Sequence, residues 1–197
     1  MAVAAFRLPR SIDSLARERL RNALGRLPAA HGEPIRFSFR PALSAHRGGL
    51  LSGKKRGSEV HAATFLRERE VVLESELLRN PRELSRIVVH EIFHFAWLRL
   101  GNPRRLSFEQ IIRQEMERRV RGELGWSAET RKESLAPGDR RQRTRRWREY
   151  ACESFCDTAA WLFSGVREHE EFTLASRSRI ARAAWFRNAG LGSGISI

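Results

Sequence analysis

Three long segments of the chain place apolar residues at helical spacing. The segments are residues 12–27, 107–124 and 140–163. Apolar positions that recur every three or four residues predict amphipathic helices with one face against a core. Pro28 ends the first pattern and Gly165 follows the third, and both residues are typical of helix ends. The third segment begins rich in arginine and becomes apolar, so its second half is expected to be the buried half.

The most sharply bounded helix is predicted for residues 81–100. Asn80, Pro81 and Glu83 supply a capping side chain, a first-turn proline and a carboxylate at the third helical position. All three are typical of a helix N-terminus. Gly101 follows at the other end, where glycine is the preferred residue. We therefore expect one continuous helix over this range.

Strand patterns precede this helix. Residues 34–41 alternate apolar and polar side chains between two prolines, and residues 61–68 and 70–78 form two further runs that flank Arg69. The pattern predicts half-buried strands, the last two joined by a tight turn. The expected fold class is α+β, with a small antiparallel sheet packed on the helix 81–100 and on the helix 140–163.

Three segments are expected to lack regular structure. Residues 47–58 are rich in glycine and basic side chains, residues 127–139 are polar, and residues 188–197 are rich in glycine. The first two are predicted as loops, and the last is predicted as a flexible tail. Residues 1–187 then form a single domain, a size consistent with the length prior for one folded unit.

Composition narrows the class of protein. The chain has 197 residues, 41% of them hydrophobic, and a mean hydropathy of -0.48. Arg7 and Arg10 interrupt the apolar start, so no secretory pattern is indicated, and no run reaches the ~18 apolar residues of a membrane span. We expect a cytoplasmic protein. Cys152 and Cys156, four residues apart, are expected to be reduced thiols.

The charge of the chain is strongly positive. The net charge is +14 and the isoelectric point is about 11.4. Two dense basic clusters occur, at residues 53–57 and 140–148. A net positive charge of this size attracts anions but does not determine which anion binds. Two interpretations stay open, a solvated basic surface and contact with nucleic acid.

The helix 81–100 carries ionisable residues inside an apolar run. His90 and His94 are four residues apart, which places both imidazoles on one helical face, and Glu91 lies about 100° further round. This is the HExxH arrangement, in which two histidines bind zinc and the glutamate takes a proton from a water molecule that the metal activates. Without a partner, these groups would be costly among bulky apolar side chains.

The third zinc ligand is predicted on the helix 140–163. Glu153 and Asp157 are carboxylates four residues apart among apolar neighbours, so they need a cation or a donor nearby. A His2Glu site satisfies both if Glu153 binds the metal and Asp157 accepts the free ring N–H of a ligating histidine.

Other ligand sets are also compatible with the sequence. Glu149 is four residues before Glu153 and is an alternative ligand, and His169 is a poorer one. Cys152 and Cys156 with the two histidines would make a closed structural site. The cysteines are expected on a side of the helix about 100° from Glu153 and Asp157, so that only one of the two pairs can face the histidines.

Together, HEIFH and the E-x-x-x-D that follows on a second helix resemble the gluzincin metallopeptidases, in particular their small single-domain cytoplasmic forms. The metzincin continuation does not fit, because Trp97 and Leu100 replace its glycine and histidine. The resemblance implies a zincin-like fold. It also implies a role for each matching residue: His90, His94 and Glu153 as zinc ligands, Glu91 as general base and acid, and Asp157 as the partner of His90.

The resemblance also implies a peptide-binding strand and an oxyanion donor. Residues 61–68 or 70–78 would bind the substrate as an added strand. Tyr150, three residues before Glu153, is the first candidate for the donor and His169 the second. Cys152 stands where the family has asparagine, which is a departure from its pattern.

The function expected from these residues is that of a zinc-dependent hydrolase, most simply a peptidase acting on a peptide or protein substrate. Zinc is the expected cofactor. The alternative is a regulatory protein that associates with nucleic acid through the basic clusters 53–57 and 140–148 and has a vestigial or structural zinc site.

Overall fold

The computed structural model describes residues 5–46, 49–52 and 58–197, and these residues form an α+β fold. The helices are α1 (Ser14–Leu24), α2 (Pro81–Arg99), α3 (Asn102–Glu117), α4 (Trp126–Glu133), α5 (Asp139–Gln142), α6 (Arg145–Phe163) and α7 (Ser176–Asn188). The strands are β1 (Phe6–Arg7), β2 (Ala29–His31), β3 (Ile35–Arg40), β4 (Leu43–His46), β5 (Gly49–Ser52), β6 (Ser58–Glu59), β7 (Ala62–Phe65), β8 (Glu70–Glu74) and β9 (Gly194–Ser196). No described helix is both long enough and apolar enough to cross a membrane.

The main sheet has four strands in the order β1-β3-β8-β7. β7 and β8 pair antiparallel, as predicted, and Arg69 forms the turn between them with a φ of 50°. β3 pairs with β8 in parallel, with Phe37 opposite Val71, so the prediction of a purely antiparallel sheet is wrong. The connection from β3 to β8 contains β4 to β7, and a crossover of that length brings the chain back in the same direction.

Helix α2 has the predicted boundaries. The Asn80 side chain accepts a hydrogen bond from the Glu83 amide at 3.2 Å, and Pro81 is the first helical residue. Gly101 has a φ of 76°, a left-handed conformation that favours glycine. The helix packs against α1, α6 and β7, and its aromatic residues join a core with α6 and α7 in which Phe155 stacks on Phe186 at 4.9 Å. The HExxH residues are therefore held on a rigid element.

The other two helix predictions shift in position. The segment predicted as 107–124 is helical from Asn102 to Glu117, and the segment predicted as 140–163 divides into α5 and α6. Arg143 has a φ of 50°, which interrupts the helix, and the Thr144 hydroxyl accepts from the Trp147 amide to start α6. Most of helix α4 lies in the segment 127–139, which was predicted as a loop.

Strand pairing also occurs where none was predicted. Residues 188–197 do not form a flexible tail, because β9 pairs in parallel with β2 and the side chains of Ile195 and Ile197 are buried in the core. In the segment 47–58, β5 and β6 both pair antiparallel with β4. The basic cluster 53–57 lies outside the described residues.

Candidate metal centre

Helices α2 and α6 face each other and bring three predicted zinc ligands together. Glu153 Oε2 lies 3.2 Å from His90 Nε2 and 4.0 Å from His94 Nε2. Zinc bonds of about 2.0–2.2 Å in a tetrahedral site place neighbouring ligand atoms roughly 3.3–3.6 Å apart. Two imidazole nitrogens and one carboxylate oxygen thus converge as a candidate donor set for zinc, with the Glu153–His90 separation close to this range and the Glu153–His94 separation a few tenths of an ångström wider.

Asp157 occupies the predicted position behind His90. Its Oδ1 lies 2.7 Å from His90 Nδ1, and its Oδ2 accepts a hydrogen bond from the Ala128 amide at 3.0 Å. Ala128 belongs to the first turn of α4, where free amides favour a carboxylate. A Cβ at Gly125 would collide with the Asp157 carboxylate, so this position requires glycine. Asp157 therefore fixes His90 with Nδ1 protonated and leaves Nε2 for a metal.

Glu91 is held by the edge of the sheet. The Thr64 hydroxyl, from β7, donates a hydrogen bond to Glu91 Oε2 at 2.5 Å. One carboxylate oxygen of Glu91 lies within 4.8 Å of a ring nitrogen of His90 and of His94. Glu91 is buried, with 8% of its surface exposed. The Glu91 carboxylate is therefore held beside the imidazoles, close enough to act on a water molecule bound between them.

The carboxylates of the site favour positive charge at the imidazoles. Burial opposes protonation of His90, but Asp157 and Glu153 outweigh it and raise the pKa well above its ordinary value. Burial also opposes protonation of His94, but Cys152 and Glu153 favour the cation and raise the His94 pKa to about 9. The Glu153 pKa falls to about 2, since His94, His90 and Arg131 outweigh burial. A cation among these carboxylates is therefore strongly favoured.

Both cysteines contact His94, contrary to the prediction that only one pair can face the histidines. Cys152 Sγ and Cys156 Sγ lie 3.4 Å and 3.5 Å from His94 Nδ1. The carboxylate pair and the thiol pair contact different ring nitrogens, so there is room for both. A hydrogen bond from Cys156 lowers the Cys152 pKa to about 6, against the effect of burial and with help from His94, whereas burial raises the Cys156 pKa.

The predicted oxyanion donor Tyr150 does not reach the site. Its side chain is buried, and its hydroxyl donates to Glu123 Oε1 at 2.6 Å. Glu123 lies in the segment that follows α3. The three-residue spacing from Glu153 predicted a shared face, but the Tyr150 hydroxyl is engaged by Glu123 in a separate buried cluster.

The alternative ligands also lie elsewhere. Glu149 is partly exposed and its Oε1 accepts from Arg145 at 2.6 Å. His169 Nε2 lies 3.3 Å from Glu83 Oε2, in a second group with Glu171. Glu153 is thus the carboxylate of α6 that the fold brings to the two histidines.

A cleft of about 320 Å³ opens onto the site. His90 and Glu91 form its floor, β7 contributes Ala62, and α4 contributes Trp126. Trp126 is 61% exposed, so a large aromatic surface is available beside the ionisable residues. The cleft therefore gives a ligand access to His90 and Glu91 from the side of β7.

Two further residues of the site, Thr64 and Arg131, were not predicted from the sequence. Thr64 contacts Glu91 from a strand 27 residues earlier, and Arg131 Nη2 lies 3.3 Å from Glu153 Oε1. Neither belongs to a local motif, because both reach the site through tertiary packing. Only the general rule that buried carboxylates need donors pointed to residues of this kind.

Part of the basic cluster 140–148 is neutralised by ion pairs within the chain. The pairs are Arg140–Glu117 at 3.3 Å, Arg143–Glu109 at 2.8 Å and Arg145–Glu149 at 2.6 Å. Arg141, Arg146 and Arg148 are exposed. Contact with nucleic acid through this cluster stays a prediction, with fewer free charges than the sequence indicated.

The site thus unites a donor set for zinc, a carboxylate beside it and an open cleft. The chain matches no protein-family model, no curated protein and no solved structure.

Proposed function

We propose that this protein is a zinc-dependent peptidase with a gluzincin-like site, in which His90, His94 and Glu153 would hold the metal. The observation that carries the proposal is the convergence of the two Nε2 atoms on Glu153 Oε2, at 3.2 Å and 4.0 Å. The pairing of Asp157 with His90 Nδ1 is the outer hydrogen bond that zinc-binding histidines normally have. A cluster of merely structural buried charges would not require an open cleft.

Each residue around the donor set has a chemical role in this proposal. When bound, zinc supplies a Lewis acid that polarises a carbonyl group and makes water more acidic. Glu91 takes the proton of the attacking water and transfers it to the leaving amine. The Thr64 hydroxyl orients the Glu91 carboxylate. Asp157 fixes the tautomer of His90.

The sheet supports a peptide as the substrate. β7 is the last strand in the order β1-β3-β8-β7, whereas β8 lies between β3 and β7. Of the two predicted ranges, 61–68 therefore contains the strand beside the cleft, and 70–78 contains an inner strand. An extended peptide that pairs with β7 would place its backbone over Glu91. A zincin-like fold, with an active helix beneath such a strand, is part of this proposal.

The test is a peptidase assay on the zinc-loaded full chain and on Glu91→Gln. Because Glu91 contributes proton transfer and no metal bond, the variant is expected to keep its zinc while its activity on unstructured peptides falls by about 10²–10⁴-fold. Glu149→Gln, which removes a carboxylate from the partly exposed side of α6, serves as the matched control and is expected to retain full activity. Unchanged activity in Glu91→Gln would overturn the proposed mechanism.

A further inference from the structure

The thiols of α6 form a second donor group on the outer nitrogen of His94. Cys152 Sγ and Cys156 Sγ lie 3.4 Å and 3.5 Å from His94 Nδ1. All three atoms lie within 4.8 Å of one another. The proposed zinc site uses Nε2 of the same ring, so the thiol group is left without a function in the peptidase mechanism.

We propose that His94 Nδ1, Cys152 Sγ and Cys156 Sγ form a second metal site, which binds a soft, thiophilic cation of the cuprous type. Thiolates select soft cations over hard ones. Two thiols one helical turn apart on α6 and an imidazole on the facing helix α2 make a clamp between two rigid elements. With zinc on Nε2, binding of the second metal would release the thiol protons and the Nδ1 proton of His94, since metals bind the thiolate and a deprotonated ring nitrogen.

The dimensions of the group suit a three-coordinate ion. Metal–nitrogen and metal–sulfur bonds of about 2.0 Å and 2.3 Å place nitrogen and sulfur roughly 3.7 Å apart around a trigonal ion. The observed separations of 3.4 Å and 3.5 Å need to widen by only a few tenths of an ångström. The donors are therefore already arranged as a bound ion would require.

The number of donors favours cuprous copper over zinc at this position. Within the described part of the chain, the group contains these three donors and no fourth histidine, cysteine or carboxylate. A structural zinc site takes four ligands. Cys156 is fully buried and Cys152 and His94 are half-buried, so the ion can enter from one side while bulk water is kept away.

A simpler role for the thiols is a hydrogen-bonding one, in which they accept the Nδ1 proton of His94. That role and the metal site predict different stoichiometries. As a hydrogen-bond partner, the thiol pair binds no ion, whereas the second site holds one copper per chain in addition to the zinc.

The experiment titrates the reduced full chain, zinc-loaded in the wild type and the cysteine double variant, with cuprous copper buffered by a competing chelator in the absence of oxygen. We expect the wild type and His90→Ala to bind one copper, and Cys152→Ser/Cys156→Ser to lose that equivalent. X-ray absorption of the wild-type complex is expected to show two sulfur ligands and one nitrogen ligand. Copper binding by the double variant equal to that of the wild type would overturn the proposal, as would a wild-type chain that binds none.

The variants also separate this inference from the peptidase proposal. His90→Ala removes a ligand of the zinc site only, and the cysteine double variant removes the thiol site only. Loss of zinc in His90→Ala with copper retained would support both sites. Cys156 is buried, so circular dichroism checks the fold of the double variant. If that variant unfolds, the ligands found by X-ray absorption in the wild type decide the question, and a copper ion without sulfur ligands would contradict the thiol site.

Discussion

Helix α6 contacts two clusters of buried ionisable residues, which differ in how their charges are satisfied. The open cluster consists of His90, His94, Glu153 and Asp157, of which His90 and Asp157 line the cleft. The closed cluster consists of Tyr150, Glu115, Glu123 and Arg182 and contacts a neighbouring face of α6 through Tyr150. Both place ionisable side chains among apolar ones, and only the open cluster has access to a ligand.

The closed cluster satisfies its own charges. Arg182, with no exposed surface, donates to Glu115 Oε2 at 2.6 Å and to Glu123 Oε2 at 2.8 Å. Lys132 Nζ lies 3.3 Å from Glu123 Oε1, and Tyr150 donates to the same oxygen. Two carboxylates thus meet two cations. The cluster is complete without a ligand and holds α3, α6 and α7 together.

The open cluster has few fixed cationic partners. With Glu91, it brings three carboxylates together, and the guanidinium that contacts them is that of Arg131 on Glu153. Protonation of both histidines, whose pKa values are raised, supplies the remaining positive charge, and a divalent cation on neutral imidazoles would replace those two protons. The difference teaches that burial of charge does not by itself mark a functional site, whereas carboxylates beside a cleft that lack fixed cationic partners do.

The largest effect on folding is expected from the closed cluster. Arg182→Met would leave two buried carboxylates without their main partner, and we expect the free energy of unfolding to fall by about 3–5 kcal/mol. Urea denaturation measures this change. Arg177→Met, on the exposed side of the same helix, is the control and should change stability by less than about 0.5 kcal/mol. A loss of stability as small as that of the control would mean that the closed cluster does not stabilise the fold.

A smaller effect is expected from Asp157, the hydrogen-bond partner of His90 in the open cluster. Asp157→Asn removes the charge that orients His90, and zinc affinity should fall about 10–100-fold. Competition with a chromophoric chelator measures the affinity. Asp139→Asn, which changes a carboxylate that accepts from Thr144 and the Ala136 amide away from the site, is expected to keep wild-type affinity. An unchanged zinc affinity in Asp157→Asn would show that Asp157 does not support His90 as the carboxylate of a zinc–histidine–carboxylate arrangement does.

Lowering the pH should reduce the stabilisation that the closed cluster contributes to the fold. Burial alone would raise the Glu123 pKa, but Arg182, Lys132 and Tyr150 outweigh it and hold the pKa below its ordinary value. Because the folded state lowers this pKa, the stabilisation is present above the ordinary value, near 4.5, and is lost as the pH falls through the folded pKa. We expect Glu123→Gln to lose less stability than the wild type between neutral pH and about pH 3. Equal slopes in the two proteins would contradict this assignment.

The smallest effect is expected from Arg131. It is partly exposed, with 40% of its side chain accessible, and it lies 3.3 Å from Glu153 Oε1. Since its charge repels a bound cation and competes for the carboxylate, Arg131→Ala should raise zinc affinity, by no more than about fivefold for a screened pair. Isothermal titration measures the change. A decrease in affinity would show that Arg131 orients Glu153 instead of competing for it.

Local patterns predicted the half of the open cluster that comes from α2. The cap at Asn80 and the stop at Gly101 define the helix, and its period fixes His90, Glu91 and His94 on one side. The partner carboxylates on α6 were also predictable, because two buried acidic residues one turn apart need a cation.

Features that depend on tertiary packing were not predictable. The direction of β3 against β8 depends on the path of a long crossover. Helix α4 is eight residues long and mostly polar, so it has no clear apolar stripe. Tyr150 was assigned to the wrong cluster because its partner Glu123 lies beyond the end of α3 and reaches α6 only through tertiary packing.

The most direct test of the central claim is the zinc content of Glu153→Ala and Glu149→Ala, purified in parallel with the wild type without chelator. The two variants remove carboxylates four residues apart on the same helix. If Glu153 completes the open cluster, the wild type and Glu149→Ala will each contain about one zinc per chain, as a catalytic site with three protein ligands requires, and Glu153→Ala will contain almost none. Full zinc content in Glu153→Ala would contradict the proposed site.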